Sequence, residues 1–110
     1  MPKVLVVEDD SSWQEYYEKK LTDFELIQAE TWDDGKLLFE ENAASLDAIV
    51  MDGRLHGLPG DVLAGIIRAA GYAGPMIAAS AGSQDRLLKS GCDHEAIKPD
   101  VPDLLKKLLL

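Results

Sequence analysis

The stretch that decides the fold is Leu46-Asp-Ala-Ile-Val-Met-Asp-Gly-Arg-Leu-His-Gly-Leu-Pro-Gly60. Its apolar run, Ala48–Met51, stops at Asp52 and is followed at once by a loop rich in glycine. Short apolar runs between turn residues are typical of strands that are buried on both faces of a sheet. A carboxylate at the carboxyl end of such a strand lies where open α/β sheets bind their ligands. We therefore interpret Asp52 as the chemical centre of the molecule.

Strand-like apolar runs alternate with amphipathic helical segments along the whole chain. Strands are predicted at residues 3–7, 24–29, 48–51, 75–79 and 96–97. Helices are predicted at residues 11–21, 31–41, 61–70, 83–90 and 103–110. Five βα units without a repeat or a linker predict an α/β fold: a doubly wound parallel sheet with helices on both faces. We expect residues 1–110 to form a single domain.

Composition excludes several classes of protein. The chain has 110 residues, of which 11 are basic and 20 acidic, so its formal charge is −9. That charge repels phosphate backbones, and we expect no direct contact with nucleic acid. A single cysteine, Cys92, excludes an internal disulfide and fits a reducing compartment. The apolar runs at both ends are too short for a signal peptide or a membrane span, so a cytoplasmic protein without membrane contact is expected.

Polar side chains follow four of the five predicted strands. Glu8 and Asp9 follow the first strand, Asp52 the third, Ser80 the fourth and Lys98 the fifth. The carboxyl ends of parallel strands share one edge of a sheet, so these residues can line one crevice. Three neighbouring carboxylates repel one another unless a cation neutralises them, and hard oxygen ligands favour Mg²⁺. The set suits an aspartyl nucleophile that attacks a phosphoryl group.

With these residues in place, the chain resembles the receiver domain of two-component response regulators, of the stand-alone chemotaxis-regulator kind. The resemblance rests on five pieces in the family's order: Val6-Val7-Glu8-Asp9-Asp10, Ile49-Val50-Met51-Asp52, the loop through Gly57 and Gly60, Ser80-Ala81, and Lys98-Pro99. Each piece is weak alone, but all five together cover nearly the whole chain. The resemblance implies a flavodoxin-like sheet with strand order 2-1-3-4-5.

The resemblance also implies how the acidic residues act. Asp52 would be the phospho-acceptor, which takes its phosphoryl group from a histidine kinase or a phosphotransfer protein. Asp9 would bind Mg²⁺ directly, Glu8 mainly through water, and the backbone carbonyl of Arg54 would be a further ligand. The ion and the positioning of the reactants would then supply most of the catalysis.

Two further residues would act after transfer. Ser80 would bond a phosphoryl oxygen, and Lys98 would pair with the phosphoryl charge. Such a protein is a signalling switch rather than an enzyme, because it catalyses only its own phosphorylation and dephosphorylation. We expect it to signal through a separate downstream protein, and self-association into a homodimer is left open.

Three features depart from the family pattern. Glu95 stands where receivers usually carry an aromatic residue that turns inward as the serine moves. Lys98 follows Ser80 by only 18 positions, which predicts a shortened fourth helix of about two turns. Arg54 lies two residues after Asp52, and we hypothesise that its side chain shields the phosphoryl group.

Two other functions compete with the switch. The first is a degenerate receiver that works as a protein-interaction module without phosphorylation, which Glu95 and the short helix favour. The second is a Mg²⁺-dependent aspartyl phosphatase of the haloacid-dehalogenase kind, which would carry a second aspartate at the position of Arg54.

We interpret Asp10 as a solvated loop residue and His56 as an exposed loop residue rather than a ligand.

Overall fold

The computed structural model describes residues 1–80 and 84–110, and its centre is a five-stranded parallel sheet. The strands are β1 (Lys3–Val7), β2 (Glu25–Ala29), β3 (Ala48–Met51), β4 (Met76–Ala78) and β5 (His94–Glu95). They lie in the order β2-β1-β3-β4-β5. Val7 pairs with Ala29 on one side and with Met51 on the other. This topology confirms the predicted doubly wound, flavodoxin-like sheet.

In the part of the chain that the structure describes, five α-helices cover the two faces of this sheet. They are α1 (Ser11–Lys20), α2 (Trp32–Asn42), α3 (Gly60–Ala69), α4 (Asp85–Lys89) and α5 (Val101–Leu109). A 3₁₀ turn at Lys98–Asp100 leads into α5. No helix within residues 1–80 and 84–110 combines the length and the apolar character that crossing a membrane requires.

Alternation along the strands divides the core in two. Leu5 and Val7 of β1 face the cluster that contains residues of α2 and α3, whereas Val4 and Val6 face the cluster of α1 and α5. All four side chains are fully buried. A strand buried on both faces has an uninterrupted apolar sequence, and this explains the Lys3–Val7 run.

The fourth helix is short, as predicted. It spans five residues, Asp85–Lys89, and ends before Gly91, which adopts a φ of 128°. The predicted helix start at Ser83 and the Ala81 of the Ser80-Ala81 motif lie outside the described residues. The structure therefore confirms a shortened fourth helix between β4 and β5.

The predicted position of the fifth strand is wrong by two residues. The strand is His94–Glu95 rather than residues 96–97, and it pairs with Ile77 and Ala78. The apolar pair Ala96-Ile97 led to the error, but Ile97 is exposed. The position of β5 is given by its backbone pairing with β4, in which His94 lies opposite Ile77 and Glu95 opposite Ala78. Glu95 points to solvent, which agrees with the expectation that it is not buried.

Asp10 is exposed and precedes α1, as interpreted from the sequence, and it has a further role at the helix. Its side chain caps α1, because Oδ1 accepts hydrogen bonds from the backbone N–H of Ser12 (2.9 Å) and from the Ser12 hydroxyl (2.6 Å). Asp10 satisfies a donor at the helix N-terminus while remaining exposed.

Candidate functional site

Asp52 lies at the carboxyl end of β3, and a close backbone contact positions it. Its N–H donates to the carbonyl oxygen of Val7 (3.0 Å), which continues the β1–β3 pairing. The N–H of Gly60 donates to the carbonyl of Gly53 (3.0 Å), so α3 begins directly against the end of β3. A Cβ at Gly60 would lie 1.8 Å from the Asp52 carbonyl oxygen. Only glycine fits there, which explains the glycine at the end of the deciding stretch.

Glu8 and Asp9 follow β1 and face Asp52. The N–H of Glu8 donates to the Ala29 carbonyl (3.0 Å), and the N–H of Asp10 donates to Oε2 of Glu8 (3.1 Å). One carboxylate oxygen from each of Glu8, Asp9 and Asp52 lies within 4.8 Å of the others. These three groups offer hard oxygen ligands in the number and spacing that suit a divalent cation.

A short hairpin after Asp52 holds Asp9 in place. Its strands, Arg54–Leu55 and Leu58–Pro59, pair antiparallel and were not predicted from the sequence. At the turn, His56 adopts a φ of 50°, and its N–H donates to Oδ2 of Asp9 (3.0 Å). That hydrogen bond lowers the pKa of Asp9 although partial burial opposes the shift. The imidazole of His56 is exposed, as predicted, while its backbone positions an acid of the site.

Lys98 supplies the positive charge of the site. Its Nζ lies 2.9 Å from Oε1 of Glu8 and 3.5 Å from Oδ2 of Asp52. The Tyr17 hydroxyl of α1 donates to the Lys98 carbonyl (3.2 Å) and so fixes the backbone beneath the ammonium group. The side chains of Glu8, Asp52 and Lys98 are 2%, 8% and 13% exposed, so water screens their charges poorly.

The electrostatics of the cluster favour one more cation. Burial raises the pKa of Glu8 to about 7, and the neighbouring Asp52 adds to the shift. Burial also raises the pKa of Asp52, and the charge of Asp9 acts in the same direction. Burial alone would lower the pKa of Lys98, but Glu8 and Asp52 raise it. Three carboxylates against one ammonium leave an excess of buried negative charge, which a divalent cation would neutralise.

Ser80 and Arg54 lie at the side of this cluster. Ser80 faces Gly53, since a Cβ on that glycine would be 3.2 Å from the serine Oγ. Both residues border a groove of about 560 Å³, which is lined by Gly53, Arg54, Gly57, Leu58, Pro59, Asp61, Ser80, Arg86 and Leu87. The structure thus brings Ser80 next to the residue after Asp52, whereas the Arg54 side chain is exposed.

Gln14 supports the site, and its role was not predicted from the sequence. Its Nε2 donates to the carbonyls of Val6 (3.2 Å), Glu8 (3.2 Å) and Ala29 (3.0 Å), which lie at the ends of β1 and β2. The residue is only 6% exposed. The helical spacing could have identified this residue: Gln14 lies three residues before Tyr17, on the buried face of α1, and a buried glutamine needs hydrogen-bond partners.

The chain matches no family model and no curated protein. Solved structures do match it. The receiver domain of Francisella response regulator 1452 is 29% identical, with a TM-score of 0.80, over 96% of this chain and 90% of that one. The signal receiver domain of a putative LuxO repressor protein from Vibrio parahaemolyticus is 27% identical, with a TM-score of 0.80, over 96% and 85%.

A third structure shares the fold at lower identity. It is a response regulator protein from Burkholderia pseudomallei, 17% identical with a TM-score of 0.83, over 100% of this chain and 67% of that one. That protein was solved with a phosphorylated aspartic acid, a calcium ion and citrate. With the strand order and the two receiver domains above, the matches identify the architecture: over nearly its whole length, this chain has the fold of response regulator receiver domains.

Proposed function

We propose that this protein is a Mg²⁺-dependent phosphorylation switch whose acceptor is Asp52. The observation that carries the proposal is the group formed by buried Glu8 and Asp52, partly buried Asp9 and Lys98 at one edge of the sheet. A carboxylate nucleophile beside hard oxygen ligands and a fixed ammonium suits in-line phosphoryl transfer, in which positioning and charge neutralisation lower the barrier.

In the proposed step, a carboxylate oxygen of Asp52 attacks phosphorus. A bond between that oxygen and phosphorus forms while the bond between phosphorus and the donor's leaving group breaks, at a phosphohistidine nitrogen or an acetyl phosphate oxygen. Asp9 and Asp52 would hold Mg²⁺ directly and Glu8 through water, with the Arg54 carbonyl as a predicted further ligand. Bound Mg²⁺ would supply neutralisation of the charge on the phosphoryl oxygens.

Lys98 and Ser80 would stabilise the product. The Lys98 ammonium, now 3.5 Å from Asp52, would pair with a phosphoryl oxygen. The Ser80 hydroxyl lies across Gly53 and would donate a hydrogen bond to another oxygen. The donor would be a histidine kinase or a phosphotransfer protein, and the phosphorylated state would favour binding of a separate downstream protein.

Arg54 would set how long the phosphoryl group persists. Arg54 is exposed and lines the groove that Ser80 also lines, and a guanidinium near the phosphoryl group would pair with its oxygens. We expect Arg54→Ala to shorten the half-life of phosphorylated Asp52, measured as loss of acid-stable phosphate. An unchanged half-life would exclude the shielding role.

A degenerate, phosphorylation-independent module is the second candidate. The observation that favours it is the exposed Glu95 at the position where receivers carry an inward-turning aromatic residue. A haloacid-dehalogenase-like phosphatase is disfavoured, because Arg54 replaces the second aspartate which that reaction needs.

One experiment separates the three functions. The protein is incubated with acetyl phosphate and Mg²⁺, and phosphate that is stable in acid but labile in alkali is measured, with Asp52→Ala as the control. The switch predicts stable incorporation that the substitution abolishes. No incorporation in the wild type would favour the degenerate module, and rapid turnover of varied phosphoesters would favour the phosphatase.

A further inference from the structure

A single glutamine side chain joins the two segments that carry Ser80 and Lys98. Gln84 is the residue immediately before α4. Its Oε1 accepts a hydrogen bond from the backbone N–H of Ser80 (3.3 Å), and its Nε2 donates to the carbonyl oxygen of Ala96 (3.2 Å). The oxygen and the nitrogen of one side-chain amide therefore each form a hydrogen bond, and the two bonds go to backbone groups near the ends of two different strands.

The positions of these two backbone groups matter. Ser80 follows β4 by two residues, and Ala96 comes directly after β5 and two residues before Lys98. Ala96 also donates its N–H to the carbonyl of Ala78 (3.0 Å), so its carbonyl is presented on the side of Gln84. Gln84 thus connects the segment of the proposed phosphoryl-binding hydroxyl with the segment of the proposed phosphoryl-binding ammonium.

We propose that Gln84 is a positioning residue that couples movement of Ser80 to the segment from β5 to α5 and to α4. This inference rests on the proposed function. A hydrogen bond of 3.3 Å has little room to lengthen before it is lost, so a shift of the Ser80 backbone must either carry the Gln84 amide along or break the bond. When the amide moves with Ser80, its contact with Ala96 and the start of α4 change with it.

The proposal explains how the chain can work without the usual aromatic residue. Glu95 points to solvent and forms no buried link between Ser80 and α5. Gln84 links Ser80 to the segment after β5 through its side-chain amide, in place of an aromatic ring. Its own carbonyl accepts the N–H of Leu88 (3.0 Å), so displacement of Gln84 is passed to the first turn of α4. The exposed residues of that helix, among them Arg86, would then display the change to a partner.

The test uses beryllium fluoride with Mg²⁺ as a stable phosphoryl analogue and backbone amide NMR as the readout. Gln84→Leu removes both hydrogen bonds, and Gln84→Glu keeps the acceptor for Ser80 but loses the donor for Ala96. Lys89→Gln, at the other end of α4, is the matched control. The amide of Gly53 reports occupancy of the site, and the amides of residues 94–96 report transmission.

In the wild type and in Lys89→Gln, we expect the analogue to shift the amides of Gly53 and of residues 94–96. In both Gln84 variants the Gly53 shift should persist, while the shifts at residues 94–96 should be smaller by about threefold or more. Equal shifts at residues 94–96 in all four proteins would overturn the role of Gln84 and leave the proposed function intact. No shift at Gly53 in the wild type would instead overturn the proposed function, and the coupling with it.

Discussion

The Nζ atom of Lys98 lies 2.9 Å from Oε1 of Glu8, and both side chains are almost entirely buried. This ion pair stands next to two further carboxylates, so a single ammonium opposes three acids. The excess of negative charge is the physical reason that the site favours either a proton on Glu8 or a divalent cation. A proton and a divalent cation therefore compete for the same negative charge.

Without metal, stability should fall as the pH rises from about 5 to 8. Burial raises the pKa of Glu8 from 4.5 to about 7, so the folded state holds this proton more tightly than the unfolded state. The stabilisation is complete below the unfolded pKa and is lost as the pH rises through 7. The free energy of unfolding in EDTA should decrease by on the order of 2 kcal/mol over this interval. Glu8→Gln should flatten the profile, and parallel urea-unfolding profiles for the two proteins would contradict this origin.

Mg²⁺ should stabilise the protein more at pH 8 than at pH 5. At the higher pH no proton competes for Glu8, and binding to the folded state alone raises its stability. The Tm with and without Mg²⁺ gives the difference, and Trp13, whose ring lies 6.0 Å from the Lys98 ammonium, offers a fluorescence signal. Asp9→Asn should abolish the effect of Mg²⁺ on the Tm. Glu95→Gln also removes one negative charge, but on β5, and this variant should retain the effect. Equal Mg²⁺ effects in the two variants would rule out a cation at the acidic cluster.

Gly60→Ala should destabilise the protein by about 2–4 kcal/mol. The new Cβ would meet the Asp52 carbonyl oxygen at 1.8 Å, and backbone has to move to relieve that contact. Gly65→Ala is the control within the same helix, because its Cβ would approach Ser90 only to 3.9 Å. That change should be neutral or stabilise by up to about 1 kcal/mol, since alanine favours a helix interior. Urea unfolding measures both, and similar values for the two variants would refute the packing argument.

Gln14→Leu should cost about 1–3 kcal/mol, since it removes the shared donor of three carbonyl groups at the ends of β1 and β2. It should also weaken Mg²⁺ binding, because the Glu8 backbone loses a contact. Gln28→Leu is the comparison: Gln28 is half-buried and its side chain donates to Gln14 rather than to the strands. If both variants bind Mg²⁺ like the wild type, Gln14 has no part in placing the acidic turn.

The sequence predicted the fold well wherever a strand was buried on both faces. The runs at β1 and β3 are short, apolar and bounded by turn residues, as buried strands are, and the polar residues after them lie at one edge because parallel strands end together. The strand order did not follow from periodicity and came from the resemblance to receiver domains. The edge strand β5 was misplaced because Ala96-Ile97 is more apolar than His94-Glu95, while its register depends on pairing with β4.

The supporting residues were harder to predict than the acids they support. Gln14 and Gln84 act through backbone carbonyls and N–H groups of segments that are distant in the sequence. No local pattern marks such partners before the strands are assembled. The hairpin that presents the His56 N–H to Asp9 likewise depends on contacts that form only in the folded chain.

The central claim, that Asp52 accepts a phosphoryl group, is tested most directly by locating the modification. The protein is treated with acetyl phosphate and Mg²⁺, the acyl phosphate is reduced with borohydride, and the peptides are sequenced by mass spectrometry. Reduction converts a phosphorylated aspartate to homoserine. We predict homoserine at position 52 alone, and only when Mg²⁺ is present. In the Lys98→Ala variant the yield of homoserine should be strongly reduced or zero. An unmodified Asp52, or homoserine at position 9 instead, would contradict the account.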